Sequence, residues 1–154
     1  MSVLSIDPGN ILSAYTLLEV GTFRIISSGK IPNEELLKMV RDYRMTNGIS
    51  LLAVETVQSF GMAVGATIFE TCIVIGQFKE AFRSPVRLVK RTEVKMHICG
   101  THKAKDSNIR QALIDRFGPV GTKKAKGHCY ELAADTWSAF AIGLTALETP
   151  LLLK

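Results

Sequence analysis

Cysteine is scarce in this chain of 154 residues: Cys72, Cys99 and Cys129 show no paired spacing. An odd count without a secretion signal argues against a disulfide scaffold and points to a reducing cytoplasm. The N-terminus lacks the basic region, apolar core and small-residue cleavage site of a leader. A long uncharged apolar run is also missing. The longest, Gly61 to Phe78, carries Glu70 near its middle, so a packed helix is expected and no membrane partner. Internal repeats and linkers are absent, which predicts one domain over 1–154. Hydrophobic content of 47% and charged content of 21% suit a folded core.

Acids are nearly missing from one segment. Residues 83–126 hold twelve Lys or Arg against three acids, Glu93, Asp106 and Asp115, leaving +9 there and −4 on the rest. Scattered surface charge mixes signs; a basic lobe on a mildly acidic body is the footprint of a polyanion binder. Lys90, Arg91, Lys95, Lys103, Lys105, Arg110, Lys123, Lys124 and Lys126 are the candidate nucleic-acid contacts. Lys123, Lys124 and Lys126 fall in a glycine-bounded loop suited to phosphate contact.

Patterning predicts strands over 2–6, 12–20, 22–28, 51–55 and 85–89. It predicts helices over 33–46, 61–82, 91–98, 105–117 and 131–146, with Asn33 as the first N-cap. That order is an α/β domain with a mixed five-stranded sheet flanked by helices. The 61–82 helix is apolar nearly all round.

Two strands end in a carboxylate: Asp7 after VLSI and Glu55 after LLAV. As parallel neighbours they would stand side by side at the carboxyl end of the sheet, where ligands gather in open α/β folds. Asp-Pro-Gly is also ordinary turn chemistry, which explains Asp7 alone. Glu55 has no such explanation. Glu131 and Asp135 are the only charged residues between Gly127 and Glu148. Their spacing predicts one shared face of the last helix. A first-turn acid also complements the helix dipole, which is an innocent account of Glu131. Converging carboxylates need a cation, and oxygen-only ligands suit Mg²⁺ or Mn²⁺. Two such ions serve phosphodiester hydrolysis. A zinc site from His97, Cys99, His102, His128 and Cys129 matches no known spacing.

These stretches carry a resemblance. SIDPG (5–9), VET with QSFGMAVG (54–65), VKRTEVKMHICGTHKAKDSNIRQALIDRFG (89–118) and AADTWSAFAIG (133–143) together resemble the RuvC family of Holliday-junction resolvases, in the ribonuclease H-like superfamily. The nearest likeness is to short versions encoded by bacteriophages of Gram-positive hosts, which implies a bacterial cytoplasm. The resemblance implies a crossover junction endodeoxyribonuclease. Such an enzyme is a homodimer that makes paired nicks in strands of like polarity on branched DNA. It implies four acids holding two ions per active site, with Asp7, Glu55 and Asp135 matching three. The family's fourth position, three before the last acid, is Leu132 here. Glu131 is carried over in its place, with His128 as the fallback. The resemblance also implies that Lys103 or Lys105 assists near the scissile phosphate, that Phe60 stacks on an unpaired base, and that helix 61–82 is the dimer contact. Three other readings stand beside it. One is a related nuclease acting on RNA or an RNA–DNA hybrid. Another is a non-catalytic junction-binding protein. The third, an actin-like phosphotransferase, needs a second domain for which the chain is too short.

Overall fold

In β1 (Ser2–Asp7) the side chains alternate between two buried faces, and this alternation sets the architecture. Val3 packs with one core cluster, Leu4 and Ile6 with the other. Each of these fully buried aliphatics contributes about 1.5–3 kcal/mol by leaving water. The computed structural model describes residues 1–149. β1 pairs antiparallel with β2 (Leu12–Glu19), which pairs antiparallel with β3 (Ile25–Pro32). β4 (Leu51–Thr56) joins the other edge of β1 in parallel, and β5 (Val86–Lys90) follows in parallel beyond it. The order β3-β2-β1-β4-β5 is the mixed five-stranded sheet expected from the sequence.

Helices cover both faces. α1 (Asn33–Thr46) and α2 (Ala66–Phe82) pack on the Leu4–Ile6 side, where Leu36, Val40 and Phe78 are fully buried. On the other side lie α3 (Arg91–Cys99), α4 (Asp106–Phe117) and α5 (Thr136–Glu148). A two-residue hairpin, β6 (Gly121–Thr122) with β7 (Ala125–Lys126), stands apart. α5 sits hard on the sheet because Gly143 has no side chain. A Cβ there would meet Leu18 at 2.6 Å and the Ser5 hydroxyl at 2.8 Å.

Four sequence expectations need correction. The third strand starts at Ile25 rather than at residue 22, because residues 19–24 close a turn with Phe23 at φ 57°. α2 starts at Ala66 and not at residue 61, after a loop in which Gly61 takes φ 76°. Asn33 is the first helical residue and caps nothing. It is buried, accepts from the Ser13 hydroxyl at 2.6 Å and donates to the Gly9 carbonyl at 2.9 Å. The last helix begins at Thr136, five residues later than its pattern indicates. Among the described residues no helix is long and apolar enough to cross a membrane.

Candidate active site

The face of the sheet under α5 carries the acids. Ser5 and Asp7 project there from β1, as Ala53 and Glu55 do from β4, because Leu4, Ile6, Leu52 and Val54 fill the opposite core. The parallel register Ile6–Val54 places Asp7 and Glu55 side by side at the carboxyl ends of their strands. The same row runs the other way through Ala14 on β2 to Lys30 on β3.

Asp135 comes from above. The chain between β7 and α5 advances by tight turns, Tyr130 to Gly127 and Leu132 to Cys129, and Ala134 adopts φ 46°. The Thr136 hydroxyl then fastens to Ala133, leaving Asp135 as the residue that leads into α5. Its carboxylate accepts from Lys30 Nζ at 2.5 Å.

Burial pushes the Asp7 carboxyl up to about 7, and the Glu55 charge pushes in the same direction. Arg91 opposes that rise, Asp135 adds to it, and Lys30 opposes it. Glu55 is also raised by burial, against the pull of Arg91. Two groups that resist ionising and face one another are what a bound cation relieves.

The first residue of α3, Arg91, organises the far side. Its guanidinium donates to Glu55 at 3.3 Å, to the Ser138 hydroxyl at 3.2 Å, and to Asp106 at the start of α4. It therefore ties β4, α4 and α5 together. A fork of this kind is natural to arginine and not to lysine. Arg91, an expected DNA contact, is held by two carboxylates, Glu55 and Asp106, at the wall of the larger cleft.

Two clefts flank the acids. The larger, about 790 Å³, runs between α2 and α3 and is lined by Glu55, Gln58, Phe60, Arg91, Lys95 and His102, among others. The smaller, about 280 Å³, opens between α4 and α5 over Asp106, Arg110, Asp135 and Trp137. Phe60 is 67% exposed, so it is no core residue. Lys90, Lys103, Lys105, Lys123 and Lys124 are also exposed. Lys103 and Lys105 lie in the connection from α3 to α4, and neither lines a cleft. The Arg110 guanidinium lies over the Trp137 ring at 5.0 Å.

Asp7, Glu55 and Asp135 thus reach one end of the sheet, with Arg91 and Lys30 interposed. Among the described residues, no three His, Cys, Asp or Glu side chains are gathered closely enough to hold a metal as they stand. Glu131 does not join them. It precedes α5, so it shares no helical face with Asp135, and it pairs with Lys126 at 3.0 Å. Leu132, the neighbour that would occupy the family's fourth position, is buried in the core and turns Glu131 outward. His128 is committed elsewhere. Its Nε2 meets the Phe23 carbonyl at 2.8 Å and its ring stacks on Phe117 at 4.5 Å. Glu131→Gln should therefore leave the metal requirement of any activity within about twofold and cost under about 1 kcal/mol, as for an exposed pair. A metal titration of the variant that moves severalfold would restore Glu131 to the site.

Sequence reasoning missed Lys30, Asp106 and Ser138. The signal for Lys30 is the two-hairpin register, which carries a row from Asp7 through Ala14 to residue 30. A third strand placed at 22–28 conceals it.

No protein-family model matches the chain, and no curated protein does. Solved structures do. The RuvC structure from Thermus thermophilus superimposes with a TM-score of 0.62 at 18% identity, over 94% of this chain and 92% of that one. Thermus thermophilus RuvC in complex with a Holliday junction substrate gives a TM-score of 0.69, with the same identity and coverage. At such identity the likeness is one of fold: over the matched 94% of its length this chain has the RuvC-like arrangement of sheet and helices.

Proposed function

We propose that this chain is a metal-dependent, structure-selective endonuclease that resolves four-way and related branched DNA junctions by paired nicks, acting as a homodimer in a bacterial cytoplasm. The observation that carries the reading is the pair Asp7 and Glu55. They lie at the carboxyl ends of parallel strands, half-buried, with the Asp7 carboxyl raised to about 7 beside a second acid. Buried like-charged acids at such a place serve a bound cation better than they serve stability.

The donor set fits Mg²⁺ or Mn²⁺, because every candidate ligand is a carboxylate oxygen. Asp7 and Glu55 would hold the ions, with Asp135 completing the set; Glu131 stays on Lys126. Two bound ions supply Lewis acidity for water attack on a phosphodiester and for departure of the leaving oxygen. The chain's own groups do the rest. Arg91 fixes the orientation of Glu55. Phe60, on the rim of the larger cleft, offers an exposed ring to an unpaired base, while Lys95 at the same cleft faces the phosphates. Lys103 and Lys105 supply charge near the cut strand, and Lys90, Arg110 and the β6–β7 hairpin extend the track. The apolar side chains that α2 and its preceding loop leave in water, Met62, Phe69 and Ile73, form the contact with a second copy.

The test is a panel of substrates of matched sequence: mobile four-way junction, fork, linear duplex and RNA–DNA hybrid, each with Mg²⁺ and with Mn²⁺. Junction cleavage should exceed duplex cleavage by at least about a hundredfold, since shape and not base identity selects the site. Equal or faster cutting of the hybrid would move the substrate to RNA.

The hairpin gives a second expected result. Lys123 and Lys124 are exposed in its turn, with Lys126 beside them. Each phosphate neutralised adds roughly 0.9 to the slope of log affinity against log salt. Replacing all three by Ala should lower that slope by about 2 to 3 and leave cleavage at saturating protein nearly unchanged. An unaltered slope places the DNA elsewhere.

A further inference from the structure

Lys30 has no part in the function as just described, yet it touches the site directly. It belongs to β3, an edge strand, in the row that runs through Ala14 to Asp7. Partners in one row project to the same face of a sheet, so Lys30 rises on the face that carries the acids. The residue between them is alanine, almost wholly buried, whose single methyl leaves the row open. The ammonium reaches across and meets Asp135 Oδ2 at 2.5 Å. Its charge is also felt at Asp7.

The contact does little for the fold. Both side chains are about half exposed, 47% and 51%, and exposed pairs of this sort add little or nothing to stability. Nor is it a packing residue. What it does is neutralise a carboxylate whose charge is felt at Asp7, the neighbour of Glu55 at the end of the sheet. Arg91 does the same for Glu55 at 3.3 Å, but Arg91 also holds Asp106 and Ser138 and is only a quarter exposed. Among the described residues Lys30 has Asp135 as its one side-chain partner, and its stem is about half exposed to water. Of the two cations it is the one free to leave.

We infer that Lys30 is a built-in counterion for Asp135 in the metal-free protein, and that divalent metal binding requires it to let go. The inference rests on the reading of Asp7, Glu55 and Asp135 as metal ligands. Lys30 is a positioning residue here: it acts through Asp135 and sets how readily the third carboxylate becomes available. Metal affinity is held down by the competing ion pair and by the positive charge that stays nearby on a flexible stem.

The experiment is calorimetric titration of Mn²⁺ into the full chain, without DNA, for the wild type, Lys30→Met, Lys30→Arg and Asp7→Asn. Lys30→Met keeps the stem and removes the charge, and should tighten Mn²⁺ binding on the order of tenfold. Lys30→Arg keeps the charge and should stay within about threefold of wild type. Asp7→Asn should weaken binding severely. A purely structural Lys30 would alter thermal stability in both substitutions and leave the Mn²⁺ affinity where it was. If Asp7→Asn abolishes binding while Lys30→Met matches wild type, the counterion role is wrong and the metal site stands. If Mn²⁺ binding is absent or ignores Asp7, the metal reading itself falls and takes this inference with it.

Discussion

Asp7→Asn should lower junction cleavage by about a thousandfold or more while junction binding survives or tightens. The substitution keeps shape and one hydrogen-bonding oxygen but removes the charge that the proposed ions need. It also removes a negative group that repels the incoming phosphate, which is why binding should not suffer. A second consequence separates this from a structural role. The folded protein raises the Asp7 carboxyl from 3.8 to about 7, so folding favours its protonated form. The stability of the metal-free wild type then carries this contribution in full below about pH 4 and loses it as pH rises toward 7. Over about three pH units at roughly 1.4 kcal/mol each, the loss amounts to a few kcal/mol at most. Asn never ionises. Metal-free Asp7→Asn should therefore be more stable than wild type above pH 7, with the difference vanishing below about pH 4. The metal requirement of the wild type should fall between pH 6 and 8, as Asp7 yields its proton more readily. Thermal melts across that range check the first statement, and Mg²⁺ titrations of cleavage check the second. A variant that loses binding, stability and cleavage together would make Asp7 a structural residue.

A charge on the outer face of α2 should break the proposed dimer. Phe69 and Ile73 are 61% and 65% exposed and one helical turn apart, with Met62 exposed in the loop before them. The inner face of the same helix buries Val74, Ile75 and Phe78 against α1 and the sheet. This exposed apolar stripe is the surface that the proposed dimer would cover. Its symmetry partner would be the same stripe on a second copy. Phe69→Glu with Ile73→Glu places two charges in the middle of that contact. The dimer should weaken by about a hundredfold or more, as expected for charge buried without a partner. Cutting should then become slow single nicking, with the two strands no longer cleaved together. Sedimentation at micromolar concentration measures the first effect and product analysis on a closed junction the second. A wild-type chain that sediments as a monomer overturns the dimer.

The sheet, its third strand apart, was legible because its strands alternate or run apolar between clear turns, and because two of them stop at acids. Asp7 and Glu55 could be placed side by side from that pattern alone. The region around Asp135 was harder to read. Residues 131–146 are apolar enough to suggest one continuous helix, but Ala134 takes a positive φ and the helix starts after it. No sequence signal marks that break, since alanine is a good helix former. Glu131 was placed on the face of Asp135 for this reason, whereas it precedes the helix and pairs with Lys126. Arg91 was counted among surface charges because sequence shows a charge but not the two carboxylates that hold it. The outward face of α2 was hidden by the opposite difficulty: a helix apolar on every side gives no hint of which side is covered.

Strand mapping on a mobile four-way junction tests the central claim most directly. Each of the four strands is end-labelled in turn, and the protein is added with Mg²⁺ or with chelator. The account predicts Mg²⁺-dependent nicks in two opposed strands of like polarity, at matching positions near the crossover, in wild type but not in Asp7→Asn. Nicks that survive chelation, that persist in Asp7→Asn, or that fall equally on a linear duplex of the same sequence would contradict it.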